Sequence, residues 1–210
     1  MNMKKEKRKT SPNGFDKIVR EIFAPIYPAI AKQILEKTNL VEGKCLDAGC
    51  GTGALGRALA KYSKMELIFF DKSQDMLELT KKYVKEEKLE KRSSFLLGDI
   101  HKIPYEDESL DLIISRGSNP FWEDWEQAYK EIYRVLKKGG KTYIGCGFGS
   151  KKLYDEVMGK MKEENPNWKH PEFEDLQTKK ESLPKIMQQL KPSKFEIIDN
   201  ESGFWLFMEK

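Results

Sequence analysis

The chain has 210 residues, 39% hydrophobic and 34% charged; that length buries about 70% of the unfolded surface in one core, so a miniprotein stapled by disulfides or metal is excluded. The formal charge of +4 is contained in Lys4, Lys5, Lys7, Arg8 and Lys9 against Glu6, so the body is neutral and lacks the basic face that phosphate backbones require, which argues against a nucleic-acid partner. Three cysteines and two histidines without zinc spacing, no apolar run near the ~18–20 residues of a membrane span, and no signal-peptide segment at Met1–Lys9 lead us to expect a soluble, metal-free, cytoplasmic protein.

Along the chain the hydrophobic pattern switches between helical spacing and short apolar runs. Residues 1–12 read as a disordered basic tail, and residues 13–210 as a single domain opened by lid helices over residues 13–38. Phe15, Ile18, Val19, Ile22 and Phe23 form one helical face ending before Pro25; after the link Phe23–Pro28, a second helix carries Ile30, Ile34 and Leu35. Strands follow at Lys44–Ala48, Met65–Phe70, Ser93–Leu97, Leu110–Ser115 and Lys141–Cys146. Helices alternate with them at Leu55–Tyr62, Ser73–Lys88 and Trp122–Leu136, and the turn Lys137–Gly140 leads into the fifth strand. Such alternation predicts an α/β fold, a parallel sheet with helices on both faces. A helix at Leu153–Glu163, a loop Asn165–Asp175 containing Trp168 and His170, and a helix begun by Ser182 and Pro184 come next. Two last strands, Lys194–Asp199 and Phe204–Met208, are joined so tightly that they must form an antiparallel hairpin.

The most informative stretch is Leu46-Asp47-Ala48-Gly49-Cys50-Gly51-Thr52-Gly53, between the first strand and its helix. Alternating glycines permit positive φ and bring main chain into contact with a ligand, in the crevice at the carboxyl ends of the strands. Asp71, ending the second strand, is spaced to reach the hydroxyls of a ribose, although it also suits the cap of the helix begun by Ser73. Gly98-Asp99-Ile100 ends the third strand, where Asp99 would accept an exocyclic amine and Ile100 with Met76 would sandwich a ring; Asp99 equally suits a turn. Together these strand ends describe a site for adenosine.

At these residues the sequence resembles the class I S-adenosylmethionine-dependent methyltransferases. LDAGCGTG is similar to their first motif, Asp71 to the acid of the second, GDI at 98–100 to the adenine motif, LDLIIS at 110–115 to the fourth strand, and EIYRVLKKGG at 131–140 to the lead into the fifth. More narrowly, FAPIYP with SRGSNPFWEDW resembles archaeal and anaerobic-bacterial members related to the ubiquinone/menaquinone-type methyltransferases. The resemblance implies a Rossmann-like seven-stranded, mostly parallel sheet with a C-terminal antiparallel hairpin. It also implies S-adenosyl-L-methionine as cofactor and S-adenosyl-L-homocysteine as product, with the methionine end over Gly49, Gly51 and Gly53, Asp47 near its amino group and Tyr27 reaching its carboxylate. Lys72 and Ser115 complete the candidate cofactor contacts.

For the acceptor, a small molecule, the candidate walls are Phe121, Trp122, Trp168 and Arg116; the guanidinium would pair a carboxylate or phosphate of the acceptor, or else Glu123 or Asp124. Trp122 and Trp125 also have the spacing of a core helix face. No catalytic residue is singled out, because a sulfonium methyl is already activated and positioning alone can carry its displacement; His101 is a possible base or a polar turn residue. Three other readings remain open. Gly51–Gly56 also fits GxGxxG, with Tyr133 and Lys137 at a dehydrogenase-like spacing. Asn119-Pro120-Phe121-Trp122 faintly resembles the motif of nucleic-acid amino-methyltransferases. A non-catalytic cofactor-binding module would share the same loop.

Overall fold

The computed structural model of the chain describes residues 11–168 and 173–210; the basic run at residues 4–9 and His170 lie outside them. Strands β1 (Lys44–Ala48), β2 (Glu66–Asp71), β3 (Ser93–Leu97), β4 (Leu110–Arg116), β5 (Leu136–Gly147), β6 (Lys194–Asn200) and β7 (Gly203–Glu209) form one sheet in the order β3-β2-β1-β4-β5-β7-β6. Only β7 runs antiparallel to its neighbours, β5 and β6. The fold is Rossmann-like, as expected, and strand order reverses between β1 and β4, the place where open α/β sheets bind ligands.

The central strands are apolar on both faces because each face is covered. On one side Leu112, Ile114 and Phe69 pack with α2 (Ile26–Thr38), α3 (Ala54–Ala60), α4 (Gln74–Glu86) and α6 (Lys151–Glu164). On the other, Ile113, Leu46 and Ile68 meet α5 (Trp125–Val135) and α7 (Leu176–Leu190). Among the described residues no helix is long and apolar enough to cross a membrane.

Several element bounds differ from those read off the sequence, each for a local reason. Helix α1 (Pro12–Ile18) begins at the last residue of the expected tail, since Ser11 caps it by accepting from the Gly14 amide and Pro12 suits its first turn. It runs into a π-helical turn, Val19–Phe23, and α2 starts at Ile26, so Tyr27 and Pro28 belong to its first turn and not to a linker. Helix α5 begins at Trp125, not Trp122, because Asp124 caps it through the Gln127 amide while Asn119–Phe121 forms a separate 3-10 turn around Pro120. β5 opens at Leu136, and residues 137–140 bulge out opposite Asp111, whose carboxylate holds Lys137 Nζ at 2.8 and 2.9 Å. Helix α7 starts at Leu176, so Pro184 lies inside it and removes one helical hydrogen bond.

Candidate functional site

The loop after β1 is built on its glycines. Gly49, Gly51 and Gly53 take φ of +66°, +56° and +71°, and a Cβ on Gly49 would lie 2.4 Å from Ser118 Cβ. Its amides are tied to β2: Gly49 and Cys50 donate to Phe70 O at 2.7 and 3.0 Å, and Gly51 to Asp71 Oδ2 at 2.8 Å. Asp71 Oδ1 accepts the Ser73 amide at 2.9 Å. Asp71 is therefore bonded to the loop it was expected to stand beside, with burial raising its pKa against the opposing pull of those amides. Asp47 is 2% exposed, and its Oδ2 accepts the Gly56 amide at 2.9 Å. Burial pushes it up to about 7; the Gly56 bond and the Arg57 charge pull it down, and the Asp71 charge adds to the rise. Because Gly56 already donates to Asp47, that first-turn amide of α3 is not open to a ligand.

The third corner is Asp99. Gly98 donates to Asp71 O at 3.0 Å, and Asp99 Oδ1 accepts both the amide and Nδ1 of His101. His101 Nε2 accepts the Asp124 amide at 3.1 Å; an amide can only donate, so the ring proton is on Nδ1. Both ring nitrogens are thus used to pin the loop after β3 to the start of α5. Asp99 stays exposed, with some desolvation opposing but the two His101 bonds prevailing, so its pKa is lowered. Lys72 is exposed and Met76 half-buried beside it, whereas Ile100, 7% exposed, belongs to the core under Trp122 and offers a ligand little surface.

At the end of β4, Ser115 is fully buried and its hydroxyl meets Ser118 Oγ at 2.6 Å, while Ser118 donates to Ala48 O at 2.9 Å. Ser115 therefore steadies the loop against β1 through Ser118, a residue the sequence did not mark. Arg116 pairs with neither Glu123 nor Asp124. Its Nε donates to Gly147 O at 3.1 Å, and its guanidinium lies 4.8 Å from the Phe23 ring, 5.0 Å from Phe148 and 6.0 Å from Tyr27. Tyr27 is 8% exposed; burial raises its pKa, with Arg116 acting the other way. Phe121 is 61% exposed and meets Phe173 edge-on, whereas Trp122 is 6% exposed and packs on Tyr129, on the core side of the segment. Trp168 lines a groove with Ile18, Ile22 and Met161 that contains no strand-end residue, so the structure separates it from the other expected walls.

The N-terminal helices cover this end of the sheet. Phe15 lies over the loop, 3.4 Å from where a Gly51 Cβ would stand. Asp16, 6% exposed, accepts Tyr83 Oη at 2.7 and 2.9 Å and Arg20 Nε at 3.0 Å. Beneath, a cavity of about 320 Å³ separates Val19, Ala24 and Tyr27 from Ala54, Arg57 and Ala58 of α3. Among the described residues no His, Cys, Asp and Glu cluster could hold a metal.

A model of the methyltransferase domain family matches residues 46–144. A solved structure from Methanococcus maripaludis, assigned without a stated acceptor to the S-adenosyl-L-methionine-dependent methyltransferases, is 42% identical and superposes with a TM-score of 0.88 over 100% of this chain and 97% of that one. The chain belongs to that family. Among curated relatives, the chain is 32% identical over 120 residues to a sterol 24-C-methyltransferase of Aspergillus fumigatus, covering 55% of this chain and 32% of that protein. It is 37% identical over 116 residues to a demethylmenaquinone methyltransferase of Lactobacillus johnsonii, covering 54% and 48%. The chain thus spans a third to a half of the length of these two relatives. Its residues fit S-adenosyl-L-methionine: main chain free of side chains at three loop positions, and a buried carboxyl, Asp47, that no lysine or arginine among the described residues pairs with. The dehydrogenase-like pair is turned away, Tyr133 toward Lys191 O at 3.4 Å and Lys137 toward Asp111. Asn119 of the amino-methyltransferase-like motif is fully buried, its side-chain oxygen accepting Cys146 Sγ at 3.0 Å.

Proposed function

We propose that the protein transfers the methyl group of S-adenosyl-L-methionine to a small-molecule acceptor held between the end of β4 and the N-terminal helices, which act as a lid. The observation that carries this reading is the bond from the Gly51 amide to Asp71, which sets the glycine loop and a ribose-reaching carboxylate as one rigid piece. Asp71 would accept the ribose hydroxyls with lone pairs its two amide bonds leave over, with Lys72 at its side. Asp99, Gly98, Ile100 and Met76 would take the adenine. Asp47 would receive the methionine ammonium and Tyr27 its carboxylate, beside Gly49, Gly53 and the main chain at Ser115. When bound, the cofactor supplies a methyl already activated on a sulfonium. The chain's own residues then need to exclude water and hold the acceptor in line at about 3 Å, which can contribute several kcal/mol without an acid or base. Phe121 and Arg116 are the nearest acceptor walls, with Trp122 packed in the core behind Phe121 and Trp168 set apart from them.

The neutral body favours a small molecule over a nucleic acid, as do the relatives named for sterols and demethylmenaquinone. The second of these also supports kinship with the quinone-type methyltransferases. Three free cysteines suit a reducing cytoplasm. Calorimetry with S-adenosylhomocysteine and with NAD tests the reading: the first should bind and the second should not. Asp71→Ala should weaken the first by about 1–3 kcal/mol. Equal affinity in the variant would remove the ribose assignment.

A further inference from the structure

Arg116 is the unusual cation of this molecule. Among the described residues, Arg20, Arg57 and Arg134 each meet a carboxylate, and Arg92 sets both terminal nitrogens on main-chain carbonyls. Arg116 has no acid. Its Nε is held by Gly147 O, and the rings of Phe23 and Phe148 stand at 4.8 and 5.0 Å, so its apolar surroundings are fixed, with the Tyr27 ring at 6.0 Å and no carboxylate among the described residues on its terminal nitrogens. A half-buried guanidinium without a counter-charge is costly, and its planar fork matches the two oxygens of a carboxylate or phosphate.

Arg116 stands beside Tyr27, the residue proposed for the cofactor's carboxylate, but its Nε bond to Gly147 O turns it toward the end of β5. It is paired with Gly145 and leans toward Gly147 at the end of β5 and Phe148 just after it, the side of the sheet away from the β1 loop. We infer that Arg116, between the N-terminal helices and the end of β5, recognises an oxyanion, a carboxylate or a phosphate, carried by the methyl acceptor; this rests on the methyl-transfer reading and narrows its substrate class. The rings of Phe23 and Phe148 would lie along whatever carries the anion.

The test uses the full chain saturated with S-adenosylhomocysteine and three calorimetric titrants that share a ring, benzoate, phenyl phosphate and the neutral benzamide. The anions should bind and benzamide should not. Arg116→Gln should weaken the anions about tenfold or more while S-adenosylhomocysteine stays within about twofold, and Arg116→Lys should recover part of the loss. No binding of either anion, equal binding of benzamide, or anion affinity unchanged in Arg116→Gln would overturn the proposal. So would a variant that loses S-adenosylhomocysteine but keeps 5′-methylthioadenosine, which lacks the amino-acid end, because the guanidinium would then serve the cofactor's carboxylate. If the wild-type chain takes no S-adenosylhomocysteine, the methyl-transfer reading fails, and the same titrations without it still decide whether Arg116 holds an oxyanion.

Discussion

Asp47 carries the largest electrostatic tension among the strand-end acids, because burial holds its folded pKa at about 7 against an ordinary 3.8. A carboxyl with a raised folded pKa stabilises the fold fully below its unfolded value, and that contribution is lost as pH rises through about 7. The full shift corresponds to about 4 kcal/mol. Asp47→Asn keeps an acceptor for the Gly56 amide and cannot ionise, so at pH 8 it should be more stable than the wild type to urea, and at pH 4 no different. The same tension would serve binding. If the ammonium of the cofactor meets Asp47, ionisation is favoured on binding, so affinity for S-adenosylhomocysteine should climb up to about pH 7 and then level off. Calorimetry at pH 6 in buffers of different ionisation heat should register proton release, absent in Asp47→Asn; an affinity flat from pH 5.5 to 8 would contradict the ammonium contact.

Among the elements, the N-terminal helices are held by few polar bonds, and the buried Asp16 is central to them. Tyr83 Oη on α4 donates to both its oxygens. Tyr83→Phe leaves that carboxylate to Arg20 alone, which should cost about 1–3 kcal/mol and speed release of bound S-adenosylhomocysteine in stopped-flow, since Phe15 leaves the glycine loop with the helix. Unaltered release with lowered stability would make Asp16 a structural pin only. Sequence could indicate where the helices lay, because Ile30 and Ile34 repeat on a helical face, but it could not show that Asp16, next to that apolar stripe, would be taken up by a tyrosine 67 residues away. The same limit applies to the ends of elements. The Ser73 start could be read locally, whereas Pro184 looked like a helix start and is carried inside α7 because Leu183, Ile186 and Met187 bury against α5 and the sheet. The glycine loop and the acids at 47, 71 and 99 were legible because their chemistry is local to the chain. The surroundings of Arg116 were not, since Phe23 and Tyr27 reach it from the N-terminal helices and Phe148 from the far end of the sheet's fifth strand, both distant from it in sequence.

At the scale of the whole molecule, the sheet joins everything the site uses. β1, β2 and β3 bring Asp47, Asp71 and Asp99 to one edge, β4 brings Arg116, and β5 supplies Gly147; β7 then seals β5 along seven register pairs with Trp205 stacked on Tyr143 at 4.7 Å. The N-terminal helices are not a loose attachment to this sheet, since Ile26, Ile30 and Ile34 are fully buried in the same core as Leu112 and Ile114. Lid and sheet should therefore melt together, in one transition. A ligand that bridges β1, β2 and β3 binds only the folded state, so its binding energy stabilises all of it. S-adenosylhomocysteine at about 100 times its dissociation constant should add about 2.7 kcal/mol. For a chain of this size that raises the melting temperature by roughly 5–10 °C. Scanning calorimetry should show a single peak displaced as a unit, with NAD at the same concentration leaving it in place. A second, unshifted peak would mean that the N-terminal helices or the C-terminal hairpin unfold independently of the site, and the coupling of lid to sheet argued from their shared core would be wrong.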